Sequence, residues 1–127
     1  MTDLILDASS ILALLNQETG AKIVQQALPN VKISTVNLAE VITRLTLIGM
    51  SVEEISQALN LLGLDCVAFD AEQAYQAGIM ATQTQELGLS LGDRACLSLG
   101  VLTNTPVLTA DRAWQKVSLP VEIKLIR

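Results

Sequence analysis

Short apolar runs alternate with helix-patterned stretches from one end of this chain to the other, and that alternation narrows the fold more than any other feature. Leu4-Ile5-Leu6, Val31-Lys32-Ile33, Leu64 to Phe69, Pro106 to Leu108 and Glu122 to Ile126 have the length and bounds of buried strands. Between them, apolar residues recur at helical spacing. Strands separated by helices pair in parallel, because a parallel neighbour is reached only through a crossover, and the crossover helix covers the sheet. The expectation is one α/β domain spanning residues 1–127, a largely parallel sheet with helices on both faces.

Local signals set the helix limits. Ser9 or Ser10 caps a helix through Ile11, Leu12, Leu14 and Leu15, broken at Thr19-Gly20; Ala21 to Leu28 forms a second, ended by Pro29. Leu38, Val41, Ile42, Leu45 and Ile48 form one stripe, stopped by Gly49. Ser51-Val52-Glu53-Glu54 reads as a capping box, with Val52, Ile55, Leu59 and Leu62 facing inward. Asp70 caps a helix whose small residues Ala74, Ala77, Gly78 and Ala81 suit close approach of a neighbour. Ser90 to Asp93 starts another, carrying Ala95, Cys96, Leu99 and Leu102, and Asp111 opens a short last helix.

With 127 residues, the chain is long enough for one core and too short for two domains. Half of it is apolar, yet Phe69, Tyr75 and Trp114 are its only aromatics, so the core is aliphatic. Met1-Thr2-Asp3 leads into the first strand without a basic leader, and no apolar run reaches the roughly 20 residues of a membrane span. A soluble cytoplasmic protein is the expectation. Cys66 and Cys96 match no metal spacing and read as buried free thiols. The net charge of −5 argues against a nucleic-acid coat protein, but it leaves room for a nuclease whose acids are masked by a cation, or for a partner that brings basic residues. Val36 and Leu47, apolar and off the main stripe, suit a partner surface.

Four acids stand at separated points where strands end or helices begin or run: Asp7, Glu40, Asp93 and Asp111. Each has a plain structural explanation. Asp7 and Asp111 fit N-caps, Glu40 fits an i,i+4 pair with Arg44, and Asp93 completes a capping box from Ser90. Gly92 fits the last explanation poorly, since glycine weakens a helix start, but it suits a place where another group must approach the backbone. Asp7 and Asp111 directly follow strands, and the ligand crevice of an open α/β sheet lies at the carboxyl ends of strands. The chain has no histidine, so any catalysis here runs on carboxylates, which favour a hard divalent cation. The chemistry so indicated is metal-assisted phosphodiester hydrolysis, with Asp7 and Asp93 as principal ligands and Asp111 and Glu40 completing the site directly or through water. The metal would activate a water for in-line attack. Arg94 and Arg112 each follow an acid and fit either a substrate phosphate or a salt bridge that steadies the site.

Leu6-Asp7-Ala8-Ser9-Ser10-Ile11-Leu12-Ala13-Leu14-Leu15 resembles the opening of the PIN-domain ribonucleases. Asn37-Leu38-Ala39-Glu40-Val41, Leu89 to Leu97 with its Gly92-Asp93-Arg94-Ala95 centre, and Leu108-Thr109-Ala110-Asp111-Arg112-Ala113-Trp114 resemble their later acidic motifs, in order along the whole chain. The wording is most similar to the VapC toxins of bacterial toxin–antitoxin pairs. The resemblance implies a three-layer α/β/α fold, with a five-stranded parallel sheet in order 3-2-1-4-5. It implies a Mg2+- or Mn2+-dependent endoribonuclease, a homodimer, RNA as substrate and a small VapB-like antitoxin as partner. Asp7, Glu40, Asp93 and Asp111 match the family's acids, Ser9 and Thr109 its neighbouring hydroxyls, and Asn37 a common polar position. Within the same fold, an RNA-processing nuclease without antitoxin and a non-catalytic interaction domain are the alternatives. A dehalogenase-like phosphatase would need a second Asp where Ser9 stands, and a receiver domain would need an acidic pair near the first strand.

Overall fold

A computed structural model describes residues 3–127, so the expectation for the start of the chain falls partly on Met1 and Thr2, outside the described residues. Five strands, β1 (Leu4–Leu6), β2 (Val31–Ser34), β3 (Asp65–Val67), β4 (Val107–Thr109) and β5 (Ile123–Leu125), form one sheet in the order β3-β2-β1-β4-β5. Every pairing is parallel; Ile5 aligns with Val107 and Leu6 with Leu108 across the central pair. Seven α-helices connect and flank them: α1 (Ala8–Leu15), α2 (Ala21–Ala27), α3 (Thr35–Leu47), α4 (Val52–Asn60), α5 (Ala71–Ile79), α6 (Ala81–Thr84) and α7 (Leu91–Thr103). Two 3-10 helices, Gln85–Leu87 and Arg112–Lys116, complete the chain. The layers and strand order are those expected; the last helix at Asp111 is a 3-10 turn, and the third and fifth strands are shorter than the apolar runs that signalled them.

The two-residue period of the strands divides the core in two. Leu6, Val31, Ile33 and Leu108 face one side, where they pack with Ile11, Val24, Val41, Leu45 and Ile55 from α1 to α4. Ile5 and Val107 face the other, against Met80, Cys96, Leu97, Leu99 and Trp114. Because β1 and β4 are covered on both faces, Leu4 to Leu6 and Val107-Leu108 are all apolar, and no polar alternation marks them in the sequence. Each such side chain removed from water contributes about 1.5–3 kcal/mol. No helix among the described residues is long and apolar enough to cross a membrane.

Three expectations are corrected. Cys96 is buried, but Cys66 is exposed, because β3 is an edge strand with one open flank. Val52, placed inward by its spacing, is 78% exposed; it is the first residue of α4, and only Ile55 of that helix is fully buried. On α5 the buried line is Gln73, Ala77 and Met80, while Ala74 and Gly78 face outward beside Tyr75 and Ile79. The small-residue stripe therefore straddles the helix, and only Ala77 uses its size against a neighbour.

Candidate active site

Asp7 follows β1 and caps α1, accepting from the Ser10 backbone N–H at 2.9 Å on Oδ1. Two hydroxyls complete its surroundings. The Ala110 N–H donates to Ser9 Oγ at 3.0 Å, and the Asp111 N–H donates to Thr109 Oγ1 at 3.0 Å. With one lone pair of each hydroxyl so occupied, the protons turn to the carboxylate. Ser9 Oγ lies 2.8 Å from both Asp7 oxygens, and Thr109 Oγ1 lies 2.6 Å from Oδ2. Ser10 Oγ donates to the Leu108 carbonyl at 2.9 Å and ties the start of α1 to β4. The ends of the two central strands are thus laced together around one buried carboxylate, at the point where the strand order reverses. Burial pushes the Asp7 carboxyl above its ordinary pKa, and the bonds from Thr109, Ser10 and Ser9 pull it back only in part.

Glu40 rides on α3 and makes no ion pair with Arg44 among the described residues. Its Oε1 accepts instead from Asn37 Nδ2 at 2.9 Å. The same Nδ2 donates to the Gly92 carbonyl at 2.9 Å, so Asn37 joins α3 to the first turn of α7. The Glu40 carboxyl group lies directly on Gly92: a Cβ there would come within 2.6 Å of Oε1 and 2.5 Å of Cδ. That close approach explains a glycine one residue before the capping acid.

Asp93 does complete the capping box of α7. The Ser90 N–H donates to its Oδ2 at 2.9 Å, and its own N–H donates to Ser90 Oγ at 3.2 Å. Burial raises its pKa first; the Ser90 bonds oppose this, and the charge of Asp111 adds to the rise. Asp111 caps the 3-10 turn, accepting from the Ala113 N–H at 3.0 Å. The capping explanations of Asp7, Asp93 and Asp111 are therefore correct, and they do not compete with a site. Each cap fixes a carboxylate in place, and all four acids line one cavity of about 590 Å3, together with Ser9, Val36 and Arg44. Behind them the Cys96 thiol is pushed well above its ordinary value, by burial first and then by the charges of Asp7, Asp93 and Glu40. It is no nucleophile.

Asn37 and Thr109 stand behind this wall as supports. Arg94 and Arg112 are not on it. Arg94 Nη1 reaches across to α5 and donates to the Ala77 carbonyl at 2.9 Å, while Arg112 is exposed on the 3-10 turn. Arg94→Ala should lower the free energy of unfolding in urea by about 1–2 kcal/mol, as loss of a half-buried charged donor does; an unchanged midpoint would mean the bond carries no stability. Two features escape sequence reasoning: the double use of Asn37 and the position of Arg44. Only the odd placement of Gly92 in a helix start hinted at the first.

Among the described residues no three acids, cysteines or histidines stand ready to enclose a metal ion by themselves. A magnesium ion does not require that, since it keeps several waters and takes one or two carboxylates. The donors on the cavity wall are all oxygens, and the buried Asn37 Oδ1 receives no hydrogen bond from the protein. Carboxylates gathered on one cavity wall, with hydroxyl partners, fit a hydrated hard cation.

A parallel sheet in this order, with an acid cavity at its switch point, defines a class of small α/β domains. The PIN-domain family profile matches residues 4–119, and the chain belongs to that family. No curated protein matches it in sequence. Among solved structures, a chain of the VapBC2 complex from Rickettsia felis, bound to a DNA fragment from its promoter, superposes with a TM-score of 0.76 at 16% identity, covering 98% of each chain. A chain of DNA-bound VapBC from Salmonella typhimurium gives 0.75 at 15% identity over 100% of both. One of VapBC-1 from nontypeable Haemophilus influenzae gives 0.74 at 19% identity over 98% of both. At these identities the likeness is one of fold.

Proposed function

We propose that this chain is a Mg2+- or Mn2+-dependent endoribonuclease, the toxin of a VapBC-type toxin–antitoxin pair. The observation that carries the reading is the gathering of Asp7, Glu40, Asp93 and Asp111 on the wall of one cavity at the ends of β1 and β4. Asp7 and Asp93 would hold the ion directly, with Asp111 and Glu40 reaching it directly or through water. When bound, the ion supplies a Lewis acid that makes water a nucleophile near neutral pH. The chain's own groups supply the rest. Ser9 and Thr109 hold the Asp7 carboxylate in one orientation with both protons committed to it, and Asn37 does the same for Glu40. The base beside both hydroxyls is the Asp7 carboxylate that they orient, and the chain has no histidine, so a cyclic-phosphate route through paired histidines is closed. Cleavage then leaves a 5′-phosphate and a 3′-hydroxyl.

A protein partner fits the same reading. The solved structures of similar fold are VapBC complexes, and here α3 and α4 border an open apolar groove of about 410 Å3, lined by Leu38, Ile42, Val52, Ile55, Leu59 and Leu64. Leu47 and Ile48 stand bare beyond it. Such a surface suits an amphipathic antitoxin segment. The outward face of α5, with Ala74, Tyr75, Gly78 and Ile79, suits a second copy in a homodimer.

Purified protein incubated with RNA tests the reading. Cleavage should require Mg2+ or Mn2+, stop with chelator, and give ends that a 5′-phosphate-dependent exonuclease degrades. The same ions at a hundredfold excess over their Kd should stabilise the fold by about 2.7 kcal/mol. Metal-independent cleavage, or no rise in melting temperature at saturating ion, would remove the carboxylate site from the mechanism.

A further inference from the structure

Four crowded acids repel the polyanion they are meant to cut, and the chain as a whole carries a net charge of −5. An RNA strand must therefore be received by cations near the cavity, and few of the eight lysines and arginines can serve. Lys32 pairs with Asp3, Lys124 with Glu122 and Arg127 with Glu18. Arg94 is turned away to the Ala77 carbonyl. Among the described residues, Lys22, Arg44, Arg112 and Lys116 make no ion pair, and of these only Arg44 lines the acid cavity.

Arg44 also lines a second cavity, of about 240 Å3, that shares Ser9 and Leu12 with the first. The two adjoin at Ser9, Leu12 and Arg44. In the second cavity Ile48, 68% exposed, and the half-buried Leu12 offer an apolar shelf, while Leu45 lies beneath them, 2% exposed. Asn16 stands on the wall of this cavity beside Glu18, to whose Oε2 its Nδ2 donates at 3.3 Å, which leaves the amide oxygen to accept. Its far end is closed by Arg127, whose guanidinium is held by Glu18 Oε1 and the Thr19 carbonyl, each at 3.0 Å. A cation, an apolar shelf and an amide are the three things an unstacked nucleotide needs: charge for its phosphate, a surface for its base, and a hydrogen-bonding edge.

Resting on the nuclease reading above, we infer that this second cavity is a nucleotide subsite. It holds the ribonucleotide next to the bond being cut, with the phosphate on Arg44 and the base on the Leu12–Ile48 shelf. It favours a single strand, since a base in a duplex cannot be laid on the shelf. Arg44 is a substrate-binding group on this account, one turn of α3 beyond the acid with which sequence spacing would pair it.

The test uses the whole chain, a short unstructured oligoribonucleotide carrying a fluorophore and a quencher, and Mn2+ as the ion. Arg44→Gln should raise KM about tenfold and leave kcat near wild type, the loss of one charged contact to phosphate. The slope of log kcat/KM against log salt should become shallower by about 0.7, one phosphate contact on a single strand. Mn2+ affinity, read by calorimetry without RNA, should stay the same or tighten, because a cation has left the site. Arg44→Lys should recover the salt slope but only part of KM, and Lys124→Gln, with the same charge change elsewhere, should leave the slope alone. A wild-type KM and slope for Arg44→Gln, with RNA still cleaved, would overturn the subsite and leave the nuclease reading standing; so would an effect confined to the affinity for a partner protein. Failure of the wild-type chain to bind or cleave RNA with Mn2+ would remove both.

Discussion

Asp7→Asn should abolish metal-dependent RNA cleavage and yet raise the melting temperature of the metal-free protein. The first effect follows from position: Asp7 is the innermost acid of the cavity, 4% exposed, and both its oxygens are fixed by Ser9, Ser10 and Thr109. Loss of a partner behind a metal ligand costs about 10–100-fold; loss of the ligand's own charge should exceed the upper figure. The second effect follows from burial. A carboxylate driven above its ordinary pKa by desolvation is a charge the folded chain would rather not carry. The amide has nearly the same shape, keeps an acceptor for the Ser10 N–H and carries no charge, although its NH2 replaces the oxygen to which Thr109 Oγ1 donates, so that hydroxyl must turn to accept. Each gain of about 1 kcal/mol would read as roughly 4 °C for a chain of this size. Between the unfolded and the folded pKa of Asp7, the folded chain holds more protons than the unfolded one. Metal-free wild type should therefore lose stability as pH rises through that window, with Asp93 adding in the same direction, and Asp7→Asn should flatten the profile. Thermal melts from mildly acidic to neutral pH, without and with Mg2+, check all three parts. Wild-type cleavage by the variant would take Asp7 out of the site; a lower metal-free melting temperature would show that its hydrogen bonds outweigh its burial.

The alternation of strand and helix was legible because each strand is a short apolar run and each crossover ends in a strong signal. The capping box at Ser51 and the aspartate caps at Asp70 and Asp111 place three starts, whereas the first, expected from a cap at Ser9 or Ser10, lies at Asp7 with both serines inside the helix. The acids were legible as a set for the same reason: a residue that follows a strand has its place at the sheet edge dictated by topology. Exposure was less so. Cys66 lies in a strand, but whether that strand is central or at the edge is a matter of long-range pairing, which no local pattern carries. Glu40 and Arg44 sit at a spacing that suits an ion pair, and helix geometry alone would join them. Asn37 wins Glu40 because it reaches the acid and the Gly92 carbonyl at once, and the second of those partners lies 55 residues away in sequence. What local chemistry misses here is the contact made by two helices that only the sheet brings together.

That contact yields the second large effect. Gly92→Ala should leave the fold nearly as stable as before and displace the Glu40 carboxyl from the site. The three atoms nearest the added Cβ all belong to the Glu40 carboxyl group, so the conflict is relieved at the tip of a flexible side chain, at about 0.5–1.5 kcal/mol if a torsion leaves its well. Alanine returns up to about 1 kcal/mol by its better helix propensity. The two nearly cancel, so melting should move by only a few degrees. The carboxyl, however, can no longer rest on Gly92 and accept from Asn37 together. Mn2+ affinity and cleavage should each fall by about tenfold, the lower range for a disturbed support of a metal site. Glu40→Asp, one methylene shorter, withdraws the carboxyl from the new Cβ, so the double variant should bind Mn2+ better than Gly92→Ala alone. A double-mutant cycle on Mn2+ affinity decides the matter: strict additivity would mean that Gly92 and Glu40 act independently, whereas coupling of one tenfold step, about 1.4 kcal/mol, is what a shared contact at the cavity wall requires.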